Sequence, residues 1–159
     1  MTLPLQEIVL RLLVATVLSG IIGIEREIHH KPAGVRTNAL IGLGAAAMTL
    51  CGLLIATAWA SSSDPTRIAS IVVQGIGFLG AGAIIQARGT VRGLTTAAGM
   101  WVVSGIGIAC GFGFYEIAIV ASIFALILLV IFGPIDYRLM GEAENGEGLM
   151  KKFLNKKEK

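Results

Sequence analysis

Ile117 to Ile135 read IAIVASIFALILLVIFGPI, a run with no charged side chain that is long enough, as a helix, to cross a bilayer. An α-helix rises about 1.5 Å per residue, so about 20 residues span the roughly 30 Å of hydrocarbon. Working back along the chain, four more apolar blocks of comparable length run from Ile8 to Ile24, Asn38 to Ala60, Ile68 to Ile85 and Leu94 to Cys110. None alternates polar and apolar residues over about ten positions, as the strand of a membrane barrel would. A soluble protein can bury one such helix, but five with almost no polar face have no water-compatible arrangement.

Composition agrees. The 159-residue chain is 55% hydrophobic and 14% charged, with a mean hydropathy of +0.80, whereas about a quarter of an ordinary soluble domain is charged. The expected fold is therefore all-α: a polytopic membrane protein with five transmembrane helices over residues 1–135 and a short polar tail over 136–159. In that tail Leu149, Met150, Phe153 and Leu154 fall on one helical face beside lysines, the pattern of an interfacial helix on anionic lipid. The first block opens beside Glu7 and Arg11 without a basic flank, so it is expected to be a retained helix, not a cleaved signal.

Basic residues orient the bundle. Arg26, Lys31 and Arg36 follow the first block, Arg88 and Arg92 the third, and Arg138 and five lysines the fifth. This alternation predicts an N-terminus outside and a C-terminus in the cytoplasm. The formal charge of +3 is explained by topology and does not indicate nucleic-acid binding. Connections 61–67, 86–93 and 111–116 are too short for an external domain, and 86–93 is expected to be little more than a turn.

Glycine is concentrated in the third block at Gly75, Gly77, Gly80 and Gly82, and these positions are expected to pack helix backbones closely where lipid removes the hydrophobic drive. Gly75 to Gly80 also spells the letters of a dinucleotide-binding fingerprint. That signature needs a strand-to-helix turn, and here it lies inside an apolar run, so no nucleotide or other cofactor is expected. Cys51 and Cys110 lie in separate apolar blocks and are expected to be buried core thiols. Adjacent His29 and His30 have no cysteine nearby to make a zinc pattern, and Ser61 to Ser63 read as the polar exit of the second helix. No catalytic set emerges, and enzymatic activity is not expected.

The polar residues near the block ends are what remain. Glu7 and Arg11, four apart, are expected to pair along the helix or across the bundle. Glu25, Arg26, Glu27 and Arg36 gather after the first helix, Arg92, Thr95 and Thr96 open the fourth, and Arg67 and Gln74 belong to the third. On the inferred topology the first and fourth helices share an end. Arg92 is therefore expected to bond Glu25 or Glu27 while Arg26 faces outward toward a partner, with ordinary caps and surface ion pairs as the competing reading.

Three stretches resemble the MgtC/SapB family of bacterial inner-membrane proteins: Gly23-Ile24-Glu25-Arg26-Glu27 with Lys31 to Leu40, Arg67 to Gly82, and Val91 to Trp101. The resemblance spans about residues 8 to 132. It implies a multi-pass protein of the inner membrane that serves adaptation to low magnesium or ionic stress. It also implies a regulator working by contact with another membrane protein, with ATP synthase as the partner the family suggests. Lipids and a second copy of the chain complete the expected partners. The chain resembles a short form without the soluble C-terminal domain of longer members, and departs from many of them at Gln74 and Thr95. The competing expectation is a transporter or channel for a cation or small solute, with the third-helix glycines and Gln74 as its path.

Overall fold

Pro4 precedes the first helix, where its fixed φ of −64° and missing N–H cost nothing, because the first N–H groups of a helix have no partner within it. In a computed structural model that describes residues 3–58, 64, 66–87 and 90–133, helix α1 then runs Leu5–Ile28. It is followed by α2 Val35–Ala58, α3 Thr66–Ala83, strands β1 Ile85–Ala87 and β2 Thr90–Arg92, and α4 Leu94–Phe112. A fifth helix, α5, covers Tyr115–Gly133. All five helices are long and apolar enough to cross a membrane. The expectations for Ser61 to Ser63, Arg88 and the tail lie outside the described residues.

The ends of these helices are written locally. His30 takes a left-handed φ of 51°, which aims the N–H groups of His30 and Lys31 back at the carbonyls of Glu27 and Arg26, at 3.1 and 2.8 Å. This pair of backward bonds closes a helix, and Pro32 prevents its resumption. Helix α4 ends the same way at Gly113, with φ 86° and with Phe114 N–H on Ala109 O at 2.8 Å. At its start, Gly93 has φ 92°, and a Cβ there would lie 2.0 Å from Ala83 O, so a side chain is excluded on two counts.

The connection between α3 and α4 departs from the expected simple turn. It is an antiparallel hairpin in which Ile85 faces Arg92 and Gln86 faces Val91. Ile85, Thr90 and Val91 are β-branched and favour extended backbone, and the helical register that could have carried on from α3 stops at Ile84.

Helices α1, α2 and α4 form the packed centre of the compact unit, residues 1–126. Ala15, Ser19 and Ile22 of α1, Ala45, Ala46, Thr49 and Leu50 of α2 and Val103, Ile106 and Cys110 of α4 are all buried. Small residues make the contact. A Cβ at Gly42 would strike Ser19, one at Gly107 would lie 2.4 Å from Gly42 O, and one at Gly111 would lie 2.6 Å from Thr49 Cβ. Backbone meeting backbone at this range maximises van der Waals contact where water supplies no drive. Buried hydroxyls of Thr49 and Ser122 donate to carbonyls four residues back, at 2.8 and 2.7 Å, which satisfies them without a partner helix.

Within the chain one of the four α3 glycines meets the expected close packing, and the expected burial of both cysteines is corrected. Among the described residues Gly80 of α3 touches a neighbour, with a Cβ there meeting Ala97 at 3.6 Å, whereas Gly75, Gly77 and Gly82 have nothing within 4 Å. The glycine density of α3 follows from its sequence, but its buried face is set by Ile76 and Gly80, and the other three glycines fall outside that face. Cys51 is exposed on α2 while Cys110 is fully buried. An apolar block alone does not say which of its faces looks inward.

Candidate functional site

On α1, Ala15, Ser19, Ile22 and Arg26 recur at spacings of four, three and four residues, and all are buried. The helical repeat thus carries the packed face onto an arginine. Arg26 does not point outward as expected: it is 8% exposed, and its Nη2 donates to Thr96 Oγ1, in the first turn of α4, at 3.0 Å. A guanidinium has five N–H donors and no neutral state to retreat to, so an inward arginine at the end of an apolar helix requires oxygen partners.

Glu25 is the adjacent countercharge, equally buried at 8% exposure. One carboxylate oxygen, Oε2, lies 4.0 Å from Arg26 Nη1 and has no hydrogen-bond partner among the described residues. The other, Oε1, is 3.2 Å from His29 Nδ1, which also lies 2.9 Å from the Glu25 carbonyl. His29 is more than half exposed, so it forms the boundary between the buried pair and the surface.

The loop beyond is fixed by two side chains. Glu27 Oε2 accepts the Val35 N–H at 3.0 Å and thereby caps α2 from across the turn. A Cβ at Gly34 would sit 2.7 Å from that same oxygen. Asn38, 3% exposed, donates its amide to the carbonyls of Ala33 and Gly34 and holds Ala33 at a left-handed φ of 59°. Around this framework Glu27, His30, Lys31 and Arg36 line an open depression of about 670 Å³.

Of the residues expected to form a site, Glu25, Arg26 and Thr96 come together, while Glu27 caps α2 across the adjoining loop. Arg36 is on the rim, and Thr95 is exposed beside Thr96. Arg92 is exposed on β2 and makes no bond to Glu25 or Glu27 among the described residues, because the hairpin carries it away from α1; Arg26 takes the place expected for it. Arg67, at the start of α3, lies at the opposite end of its helix from the hairpin, and Gln74 is exposed in the middle. Asn38 is a member that sequence reasoning passed over, and His29 is weighed there only against a zinc pattern. The signal for Asn38 was its place just after the turn formers Pro32, Ala33 and Gly34, where an amide can collect loop carbonyls.

A second polar network closes the other end. Arg11 Nε is 2.9 Å from Glu7 Oε1, so the pairing along the helix is present. The crossing is present too: Arg11 Nη1 donates to Gly111 O at 2.9 Å. Tyr115 completes it by donating to Glu7 Oε1 at 3.1 Å, tying α5 to α1. Among the described residues no group of three or more His, Cys, Asp or Glu side chains is placed to hold a metal ion.

Comparison with known proteins places these features. The chain is 39% identical over 140 residues to YhiD of Escherichia coli (strain K12), covering 86% of this chain and 65% of that protein. It is 41% identical over 121 residues to the protein MgtC of Brucella abortus (strain 2308), covering 76% and 49%. It is 45% identical over 118 residues to MgtC of Salmonella typhimurium (strain 14028s / SGSC 2262), covering 74% and 49%. The chain therefore spans between about half and just under two thirds of these relatives. No solved structure matches it. The family model described as the MgtC family matches residues 12–138, a region that includes the Glu25, Arg26 and Thr96 cluster, α2 to α5 and all of α1 beyond Arg11: the chain belongs to the MgtC family and is a multi-pass protein of the bacterial inner membrane.

Proposed function

We propose that this protein is a small, non-catalytic membrane regulator in magnesium or ionic-stress adaptation, acting by contact with another membrane protein. The observation that carries this reading is the contrast between frame and rim at one end of the bundle. Glu25, Arg26 and Thr96 are buried, with Arg26 donating to Thr96 and Glu25 Oε2 lying 4.0 Å from the guanidinium, while Lys31 and Arg36 on the adjoining loop and Arg92 just before α4 are exposed. A rigid base under exposed charge suits recognition of a partner, since little is lost in ordering on binding. ATP synthase is the first partner to test; it is named by the resemblance, not by any feature of the geometry. The orientation with N-terminus outside and this polar end in the cytoplasm belongs to the same proposal.

The test is co-purification in mild detergent with identification of what is recovered. Arg36→Gln and Arg92→Gln should keep wild-type abundance and melting temperature and lose the partner. Full recovery with both variants would remove the rim from the contact. For orientation, cysteines at Asp64 and Gln86, with Cys51 and Cys110 replaced by alanine, should label from opposite sides, Asp64 from outside. Labelling of both in intact cells by an impermeant reagent would overturn it.

A second reading is transport of a cation or small solute, favoured by the name of YhiD, which refers to magnesium transport. It predicts substrate-dependent flux by the purified protein in liposomes, whereas a regulator gives none and instead changes its partner's rate.

A further inference from the structure

Gln74 stands at the middle of α3, with eight residues before it and nine after, and it lies almost diametrically opposite buried Ile76 on the helix. Its amide is exposed and makes no hydrogen bond among the described residues. Each end of the span is about 12 Å away, beyond the reach of a glutamine side chain, so the amide cannot reach the polar boundary as a lysine or arginine would. Lipid tails offer neither donor nor acceptor at that depth, and an unpaired amide in hydrocarbon is strongly disfavoured.

The surroundings of Gln74 suit a helix laid against it. Ser70, Gly77 and Ala81 share its face, all exposed, and a Cβ at Gly77 would meet nothing within 4 Å. Phe78, 83% exposed, stands alongside. α3 is also weakly embedded in its own bundle, with 17% of its span buried against 44% for α4.

We propose that this face of α3 docks a second copy of the chain, the two related by an axis along the membrane normal, with Gln74 bonded to Gln74. Copies inserted in one orientation put identical residues at identical depth, and a two-fold axis brings the same patch of each together. Glutamine is both donor and acceptor, so it is its own complement, and the exposed small residues Gly77 and Ala81 allow the close approach that reciprocal amide bonds require. An unrelated partner would need a matching polar group at the same depth; a second copy supplies one by symmetry. The pairing goes beyond the partner contact proposed above and uses a different surface, so either can fail while the other stands.

The test is oxidative cross-linking of the full chain in native membranes, with Cys51 and Cys110 replaced by alanine. A disulfide needs Cα atoms within about 7 Å, so it reports close approach and not proximity in general. Gly77→Cys should give covalent dimers, and Ile119→Cys, exposed on α5, should give about tenfold less, since it lies on a different helix. Adding Gln74→Leu to Gly77→Cys should lower the dimer yield by about fivefold or more at unchanged abundance, while Gln74→Asn should retain most of it. Equal cross-linking at the two positions, an unchanged yield with Gln74→Leu, or cross-linking of Gly77→Cys only to a different membrane protein would each overturn the proposal.

Discussion

Arg26 of α1 donates to Thr96 of α4 at 3.0 Å inside the bundle, so the arginine expected to face outward holds two helices together. Its removal leaves Glu25 as a buried carboxylate with only His29 beside it. Losing one member of a buried pair costs about 3 to 5 kcal/mol, and the 4.0 Å separation from Glu25 puts Arg26→Gln near about 3 kcal/mol. Thr96→Val removes one oxygen partner and should cost about 1 to 2 kcal/mol. The double variant should lose less than the two single losses added together, because both act on one bond. Melting in detergent and membrane abundance check this, and a wild-type melting temperature for Arg26→Gln would show the arginine to be a surface charge.

The glycines of α4 and α3 should respond in opposite ways. Alanine at Gly107 would place its Cβ 2.4 Å from Gly42 O and 2.8 Å from Ala45 Cβ, backbone and short side chain that cannot swing aside. Overpacking of this kind costs about 1 to 3 kcal/mol. Gly75→Ala meets nothing within 4 Å and replaces a poor helix former by the best, so stability should hold or rise by up to about 1 kcal/mol. Thermal melts of the two variants decide it, and equal destabilisation would place α3 in the tight core after all.

The contrast explains which features of this protein can be seen in its letters. Helix number and approximate extent follow from hydrophobic runs against a fixed bilayer thickness, so Ile117 to Ile135 announces α5 without help from its neighbours. Which face turns inward is a property of pairs of helices. Gly77 and Gly107 look alike in sequence, and only the second has Gly42 opposite. The same gap produced the error at Arg26. Its charge suggested exposure, yet Ala15, Ser19 and Ile22 at helical spacing already traced a small-residue face running toward it. Glu7 with Arg11 was legible because it is a local i, i+4 relationship, and Tyr115, 108 residues from Glu7, was not.

That long-range bond gives the third prediction. Tyr115→Phe keeps the ring and removes one hydrogen bond to Glu7, a loss of about 0.5 to 1.5 kcal/mol. Arg11→Met leaves Gly111 O without its side-chain donor and Glu7 without its cation, and should lower the melting temperature more than Tyr115→Phe does. If the network joins α5 to α1 as described, limited proteolysis of either variant should cut first between α4 and α5. Cleavage unchanged from the wild type would mean that apolar packing at Ala118 and Ser122 holds α5 by itself.

The last prediction uses Asp64, which lies between α2 and α3, outside the membrane-spanning segments. Asp64 Oδ1 accepts the Thr66 hydroxyl at 2.7 Å and the Thr66 N–H at 2.9 Å, one of the otherwise unpaired donors at a helix start. The Thr66 hydroxyl is the larger influence and the Thr66 N–H the second; together they hold the carboxyl below its ordinary value near 3.8. A lowered folded-state pKa means that the unfolded chain binds the proton more readily, so the stabilisation is fully present above the unfolded value and is lost as pH falls through the folded one. Asp64→Ala should therefore melt slightly below the wild type at pH 7, with an equal gap at pH 5, and the gap should shrink as pH drops below about 4. Thr66→Val, which removes the hydroxyl and keeps the N–H, should show a smaller gap with the same direction of pH dependence. Comparing variants with wild type at each pH cancels the titration of the other carboxylates. A gap between Asp64→Ala and the wild type that stays constant from pH 7 to pH 3 would mean that Asp64 acts through loop conformation and not through its charge.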